Sequence, residues 1–107
     1  KAKLAMTAHI LYSKIDKKNV ATFSKKIISD IIRKKLKFKG ILISDDISMK
    51  ALKLSIKKNT IKAFTAGCNL VLHCNANMNE MIKVAENSPI VNNFILKKTS
   101  QFKDIIS

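Results

Sequence analysis

Three short apolar runs, separated by segments long enough for helices, constrain the fold of this 107-residue chain more than any other feature. The runs cover residues 3–8, 41–43 and 69–73. The second and third are unbroken rather than alternating, which is typical of parallel strands buried on both faces. Strands that alternate with helices are joined by right-handed crossovers, so the order β-α-β-α-β-α-α predicts an α/β fold with a parallel sheet.

The segments between the strands carry helix signals. Ser24 is the predicted N-cap of a helix that runs to about residue 37, and Gly40 follows its end. The apolar face of this helix consists of Ile27, Ile28, Ile31, Ile32 and Leu36. A second helix is predicted over residues 49–66, with a break near Asn59 left open, and Gly67 ends it.

Two further helices are predicted after the third strand. Asn77 caps the first, and Glu80 at the third position completes a capping-box-like pair. Ser88 and Pro89 begin the second, with proline in the tolerated first turn. We expect an apolar stripe on each helix, made of Met78, Met81, Ile82 and Ala85 in the first and of Val91, Phe94, Ile95, Phe102 and Ile105 in the second. Met49, Met78 and Met81 are assigned to the core.

A sheet of three parallel strands would leave both of its edges unpaired, which makes a poor finished sheet. The chain also begins with Lys1 rather than methionine. We therefore expect residues 1–107 to be a contiguous slice of a larger α/β domain, processed or truncated. From the pattern alone, that domain is either a (β/α)8 barrel or an open sheet.

The formal net charge is +14, from twenty Lys and one Arg against seven acidic residues, which invites a nucleic-acid or anionic-surface function. The lysines, however, are spread in pairs along the whole chain. Base readout and phosphate clamping favour arginine, of which Arg33 is the single example, and stacking needs more aromatic residues than five Phe and one Tyr. A basic binding module is therefore the alternative function, and nucleic acid is not the expected partner.

Cys68 and Cys74 are six residues apart with no secretory signal before them, which favours two free, buried thiols in a reducing compartment. With His73 they offer three soft ligands, but neighbouring strand residues point to opposite faces, so we expect no metal site. No stretch approaches about 18 uninterrupted apolar residues, so we expect no membrane-spanning helix. These patterns predict a cytoplasmic location.

Functional groups collect at the carboxyl ends of strands in parallel α/β folds. Those ends hold both histidines and two of the seven acidic residues. Two adjacent aspartates after a buried strand point to function, and strand alternation would turn Asp45 and Asp46 in opposite directions. A purely structural interpretation has Asp46 capping the following helix. His9 fits a pocket or a structural role, and His73 is expected to be structural.

The string GILISDDISM at residues 40–49 is similar to the signature of family 3 glycoside hydrolases, in particular bacterial β-N-acetylhexosaminidases of the cell-wall-recycling (NagZ-like) type. Three other blocks resemble the same family in the same order: MTAH at 6–9, ATFS at 21–24 and AGCNLVL at 66–72. Lys39 stands where the family has Asp, and Ile47 replaces Leu. Residues 76–107 fit only by pattern.

The resemblance implies a (β/α)8 TIM-barrel catalytic domain, of which this chain would be the last three or so βα units. It implies retaining hydrolysis of a terminal β-linked N-acetylglucosamine in peptidoglycan recycling, with a muropeptide glycan as substrate and no cofactor. Asp45 matches the position of the family's nucleophile. Asp46 would keep the surroundings of Asp45 polar, and His9 would line the sugar pocket.

In the NagZ-like subfamily that this chain resembles, the acid/base group is a histidine on an upstream loop, and the Arg and Lys that grip the sugar also lie upstream. No matching segment occurs in this sequence. A retaining glycosidase needs its acid/base about 5 Å from the nucleophile. We therefore expect this chain to be weak or inactive alone, with the N-terminal half of the barrel as its partner.

Overall fold

A computed structural model of the chain describes residues 3–50, 52, 54–89 and 94–98. They form a three-stranded sheet in the order β1 (Leu4–Met6), β2 (Ile41–Asp46) and β3 (Leu70–Leu72). Both neighbouring pairs are parallel, so the predicted parallel α/β fold is confirmed. Strands that are neighbours both in sequence and in space are the arrangement of successive units in a (β/α)8 barrel.

The first crossover contains a 3₁₀ turn (Ala21–Phe23) and a π-helix (Ile27–Lys35). Ser24 Oγ accepts a hydrogen bond from Ile27 N at 3.1 Å, which confirms Ser24 as the cap. The predicted ordinary helix is wrong in type, because its hydrogen bonds reach five residues back, as from Leu36 N to Ile31 O at 2.7 Å. It also ends earlier than predicted, since Lys37 takes a left-handed backbone conformation with φ of 56°.

The second crossover contains α1 (Ile56–Ala66), which begins seven residues later than predicted. Ser55 caps it by accepting a hydrogen bond from Lys58 N at 3.3 Å. Buried Asn59 does not break the helix; its amide nitrogen donates to Ile47 O at 3.1 Å and to Leu54 O at 3.3 Å. These bonds hold Ile47 and Leu54 against the helix, and since both residues are non-helical, α1 starts only at Ile56.

The helix α2 (Met78–Glu86) follows β3, and its predicted cap is confirmed because Asn77 Oδ1 accepts from Glu80 N at 3.1 Å. The predicted return bond of a capping box is wrong, because Asn77 N donates to Asn75 Oδ1 and the Glu80 carboxylate contacts His73 instead. The prediction of a buried face is wrong: no residue of α2 is buried, and the exposed fraction is 64% for Met78 and 45% for Met81. Met49 is exposed as well. Within the described residues, no element packs over the apolar stripe of α2.

Residues 94–98 form a further helical segment, in which Ile95 is buried and Phe94 is exposed. Ser88 donates its hydroxyl to Val84 O at 2.6 Å and so belongs to the end of α2. Ser88 and Pro89, which were predicted to begin the last helix, are not helical, whereas the predicted core positions Val91, Phe102 and Ile105 lie outside the described residues.

The apolar core lies between the π-helix, α1 and one face of the sheet. Its buried members are Ile28, Leu42, Ala63, Ala66 and Cys68. Of the two cysteines, Cys68 is buried and Cys74 is exposed, so the prediction of two buried thiols is wrong for Cys74, which follows the end of β3. Both cysteines are free. No helix in the described ranges is long and apolar enough to span a membrane.

Asp16 organises the loop that leads from β1 to the π-helix. Its carboxylate accepts hydrogen bonds from Ser24 Oγ at 2.7 Å, Lys18 N at 3.0 Å and Asn19 N at 3.1 Å. The bond from Ser24, followed by those from the two backbone amides, lowers the pKa of Asp16 from 3.8 to about 2. The charged form of Asp16 therefore favours the folded state.

Replacing Asp16 by Asn is expected to change the pH dependence of stability. Because the folded pKa is lower than the unfolded one, the stabilisation is complete above about pH 4 and disappears as the pH falls to about 2. Urea unfolding of the two proteins between pH 2 and 7 should show a difference at neutral pH that closes in this window. A difference that is the same at pH 2 and pH 7 would contradict the assignment.

Candidate active site

His9 ties the end of β1 to the end of β2. Its Nε2 lies 2.8 Å from the backbone oxygen of Asp46, and its Nδ1 lies 2.8 Å from Thr22 Oγ1. A carbonyl oxygen only accepts hydrogen bonds, so Nε2 carries a proton. Both ring nitrogens are thus engaged within the chain, and the ring holds the two strand ends together.

The hydroxyl of buried Thr22 is the centre of a small network. Its oxygen lies 2.9 Å from Thr7 Oγ1 and 3.0 Å from Ala8 O, besides its contact with His9. Ala8 O also accepts from Thr22 N at 3.2 Å. The single proton of the Thr22 hydroxyl is donated to Ala8 O, so this side chain ties the end of β1 to the 3₁₀ turn.

The strand β2 has one more residue than β3 at the position of the two aspartates. Ile43 pairs with Leu70 and Asp46 pairs with Leu72, so three steps along β2 match two along β3. Buried Ser44 lies within this irregular pairing, and its side-chain oxygen accepts a hydrogen bond from Leu72 N at 3.1 Å. A bulge re-aims side chains, so the regular alternation on which the predicted orientations rest is interrupted here.

Asp45 is half-buried at this bulge. Its Oδ1 accepts a hydrogen bond from Asp46 N at 2.8 Å, which fixes the carboxylate relative to the backbone. Within the described residues, Oδ2 receives no hydrogen bond, so its lone pairs remain available to an incoming group. Such a carboxylate can act as a nucleophile.

The Asp46 carboxylate is engaged in hydrogen bonds within the chain. Its Oδ1 accepts from Ser48 N at 2.9 Å, from Ser48 Oγ at 2.7 Å and from Cys74 N at 3.0 Å. The carboxylate closes a turn after β2 and ties the end of β3 to it. The structural interpretation of Asp46 as a helix cap is wrong, because the helix begins only at Ile56.

The electrostatics of Asp46 follow from these contacts. Burial raises the pKa of Asp46, but the hydrogen bonds from Ser48 and Cys74, together with the attraction of His73, outweigh burial and hold that pKa below its ordinary 3.8. Asp46 is therefore an anion at neutral pH. It places a fixed negative charge beside Asp45.

His73 and Glu80 form a pair that the sequence interpretation missed. His73 Nε2 lies 2.9 Å from Glu80 Oε1, and the His73 side chain is only 8% exposed. The signal in the sequence is an acidic residue, rare in this chain, in the first turn of the helix that follows a strand ending in histidine. Within the described residues, no three His, Cys, Asp or Glu side chains come together as a metal-binding group.

A cavity of about 730 Å³ is bounded by the π-helix, the end of α1 and the helical segment 94–98. Its lining includes five cationic side chains: Lys25, Arg33, Lys39, Lys97 and Lys98. None of the described residues that line it is acidic. The lining includes residues that precede β2 and β3, so the cavity opens at the amino end of the sheet, opposite Asp45.

The chain was compared with known proteins. Residues 1–102 match the sequence profile of the glycosyl hydrolase family 3 N-terminal domain. The chain is 46% identical over 72 residues to a β-hexosaminidase of Nitrosomonas eutropha, which covers 65% of this chain and 20% of that protein. It is 37% identical over 91 residues to a β-hexosaminidase of Haemophilus influenzae, covering 78% of this chain and 26% of that protein.

A solved structure of a named relative is also similar to this chain. NagZ from Neisseria gonorrhoeae matches with a TM-score of 0.71 at 31% identity, covering 87% of this chain and 26% of that one. This chain thus spans about a fifth to a quarter of the length of these relatives. Since the family profile extends over residues 1–102, the chain belongs to glycosyl hydrolase family 3 and is part of its N-terminal domain.

Proposed function

We propose that this chain supplies the nucleophile of a retaining glycosidase that releases terminal β-linked N-acetylglucosamine. The observation that carries the proposal is the contrast between two neighbouring carboxylates at the end of the middle strand. Asp46 accepts three hydrogen bonds on Oδ1, which tie it to Ser48 and Cys74, whereas Asp45 accepts a single bond from the backbone amide of Asp46. The similarity to β-hexosaminidases supports the choice of sugar.

In this reaction, an oxygen of Asp45 bonds to the anomeric carbon while the bond from that carbon to the leaving oxygen breaks, and an acid protonates the leaving oxygen. Water then attacks the same carbon, gives a proton to the conjugate base of that acid, and releases the sugar and the Asp45 carboxylate. Asp46 supports this step through its backbone, because its amide donates to Asp45 Oδ1 and fixes the carboxylate in place.

Within the described residues, we assign the acid role to no side chain. The acid must lie about 5 Å from the nucleophile, and both ring nitrogens of His9 are already engaged. We therefore assign His9 to the wall of the sugar pocket and place the acid on another part of the barrel. In the same proposal, the substrate is a muropeptide, and the setting is peptidoglycan recycling in the cytoplasm.

The rest of the barrel is the proposed partner. Within the described residues, β1 and β3 each pair with β2 alone, so their outer edges are open. Leu4 and Met6 of β1 are 50% and 55% exposed. Further parallel strands, from the same polypeptide or a separate one, would cover these apolar side chains and bring the acid to Asp45.

The proposal is tested by comparing the chain alone with a chimera in which it replaces the matching segment of the Haemophilus influenzae relative. The substrate is p-nitrophenyl N-acetyl-β-glucosaminide. We expect no turnover by the chain alone and turnover by the chimera. Turnover by the chain alone at the rate of the relative would contradict the need for a partner, and an inactive chimera with native circular dichroism would contradict the proposed function.

The alternative function is a basic module for nucleic acid or an anionic surface, and the cationic cavity is the observation that favours it. Arg33 contributes less to the binding of an anionic partner than its charge indicates, because its guanidinium donates to Phe38 O, Gly40 O and Asn69 Oδ1. The lysines of the cavity would carry the binding. Salt-sensitive retention of the chain on heparin, together with an inactive chimera, would favour this alternative.

A further inference from the structure

The pair of His73 and Glu80 joins α2 to the proposed active site. Glu80 lies in the first turn of α2, where its backbone amide donates to the cap residue Asn77. Its carboxylate meets His73 Nε2 at the end of β3. The next residue, Cys74, donates its backbone amide to Asp46. A continuous series of contacts therefore runs from a helix to the carboxylate beside Asp45.

The His73 ring is held in place by its hydrogen bond to Glu80. A carboxylate only accepts hydrogen bonds, so Nε2 donates to Glu80, and the tautomer is thereby set. Nδ1 is buried and has no partner among the described residues. One hydrogen bond thus holds a ring that is 92% buried, and its loss leaves the ring without a polar anchor.

We infer that His73 is a positioning residue, which uses its bond to Glu80 to keep the Cys74 amide on Asp46 and so orients Asp45. The consequence for Asp45 rests on the proposed function, whereas the coupling of Glu80 to Asp46 does not. When the bond is broken, residues 73–77 are free to move away from β2. Asp46 then loses a hydrogen bond, and the Asp46 amide that fixes Asp45 Oδ1 loses its support.

The test uses Glu80→Ala and His73→Phe in the full chain, with Glu86→Ala as the matched control. Glu86 is in the same helix and carries the same charge, and it forms no ion pair with the described residues. Hydrogen exchange of the Cys74 amide is measured by NMR. We expect protection to fall about tenfold in both test variants and to stay unchanged in the control.

A second readout separates positioning from a general loss of stability. Loss of the Cys74 bond in both variants, together with loss of the attraction of His73 in His73→Phe, should raise the pKa of Asp46 towards its ordinary value, which a carboxyl ¹³C titration measures. His73→Gln restores a donor near the position of Nε2 and should recover much of both effects. Substitutions that destabilise the fold without altering these contacts are expected to leave the titration of Asp46 unchanged.

Unchanged Cys74 protection and Asp46 titration in folded Glu80→Ala and His73→Phe would overturn the inference. Effects of Glu86→Ala as large as those of Glu80→Ala would also overturn the inference, because the loss of a negative charge on α2 would then explain the changes in both variants. Neither measurement uses glycosidase activity. Failure of the positioning role is therefore distinguishable from failure of the proposed reaction.

Discussion

Replacing Asp45 by asparagine in the chimera is expected to lower turnover of p-nitrophenyl N-acetyl-β-glucosaminide by about 10³-fold or more. The neutral amide cannot form the glycosyl-enzyme, whereas its side-chain oxygen can still accept the hydrogen bond from Asp46 N. The fold should therefore be preserved while the nucleophile is lost. Initial rates at saturating substrate, with circular dichroism as the check on folding, measure the effect.

The matched control for this substitution is Asp30→Asn. Asp30 is exposed on the π-helix and lies 3.8 Å from the Lys34 ammonium, so its replacement should leave turnover within about twofold. A loss in Asp45→Asn no larger than that in the control would contradict the role of Asp45. Asp46→Asn should have an intermediate effect, because it weakens the support of the nucleophile without removing it.

Added azide distinguishes a nucleophile from an acid. In an Asp45→Ala chimera, azide occupies the space of the missing carboxylate and attacks the anomeric carbon from that side. Partial recovery of turnover with an α-configured glycosyl azide as product is expected. A β-configured product would assign Asp45 to the acid/base role instead, since azide would then replace the attacking water on the other side of the sugar.

Gly40→Ala is expected to destabilise the folded chain by about 2–3 kcal/mol. A Cβ at Gly40 would overlap the backbone carbonyl of Lys3 and come within 2.7 Å of Phe38 Cζ. The phenyl ring can turn away, but the Lys3 carbonyl cannot, because it accepts the hydrogen bond from Ile41 N that begins the pairing of β1 with β2. Urea unfolding at neutral pH measures the loss.

The effect of Gly40→Ala should extend to the site. A displacement of β1 would also move Thr7 and His9, which follow it in sequence. His9 contacts the backbone oxygen of Asp46, so the end of β2 would be disturbed as well. The neighbouring substitution Lys39→Ala serves as the control, because Lys39 is exposed and its truncation creates no overlap. Equal stability of Gly40→Ala and the unmodified chain would contradict the proposed close approach of the two strands.

The strands were predictable because their signal is local. Ile41–Ile43 and the run around Leu70 contain no polar alternation, and that property alone indicates burial on both faces of a parallel sheet. The caps Ser24 and Asn77 were predictable for the same reason, since each acts on an amide three residues away. The positions of the two aspartates after a strand likewise indicated where chemistry would lie.

The missed features depend on distant partners. The late start of α1 follows from Asn59 holding Ile47 O, a contact that spans 12 residues. The turn after β2 depends on the bond from Cys74 N to Asp46, which spans 28 residues. The bulge depends on the pairing of β2 with β3, which no single segment shows. For α2, periodicity located the apolar stripe correctly but could not say what would cover it.

The bulge in β2 makes the length of this strand as important as its composition. Three residues of β2 span the distance of two in β3, and Ser44 occupies the surplus position. Removing one residue between Ile43 and Asp46 would restore a regular ladder, yet it would shift the Asp45 carboxylate by one step relative to its neighbours. The position of the proposed nucleophile thus depends on the number of residues in β2, and deletions here should be more harmful than exchanges of similar side chains.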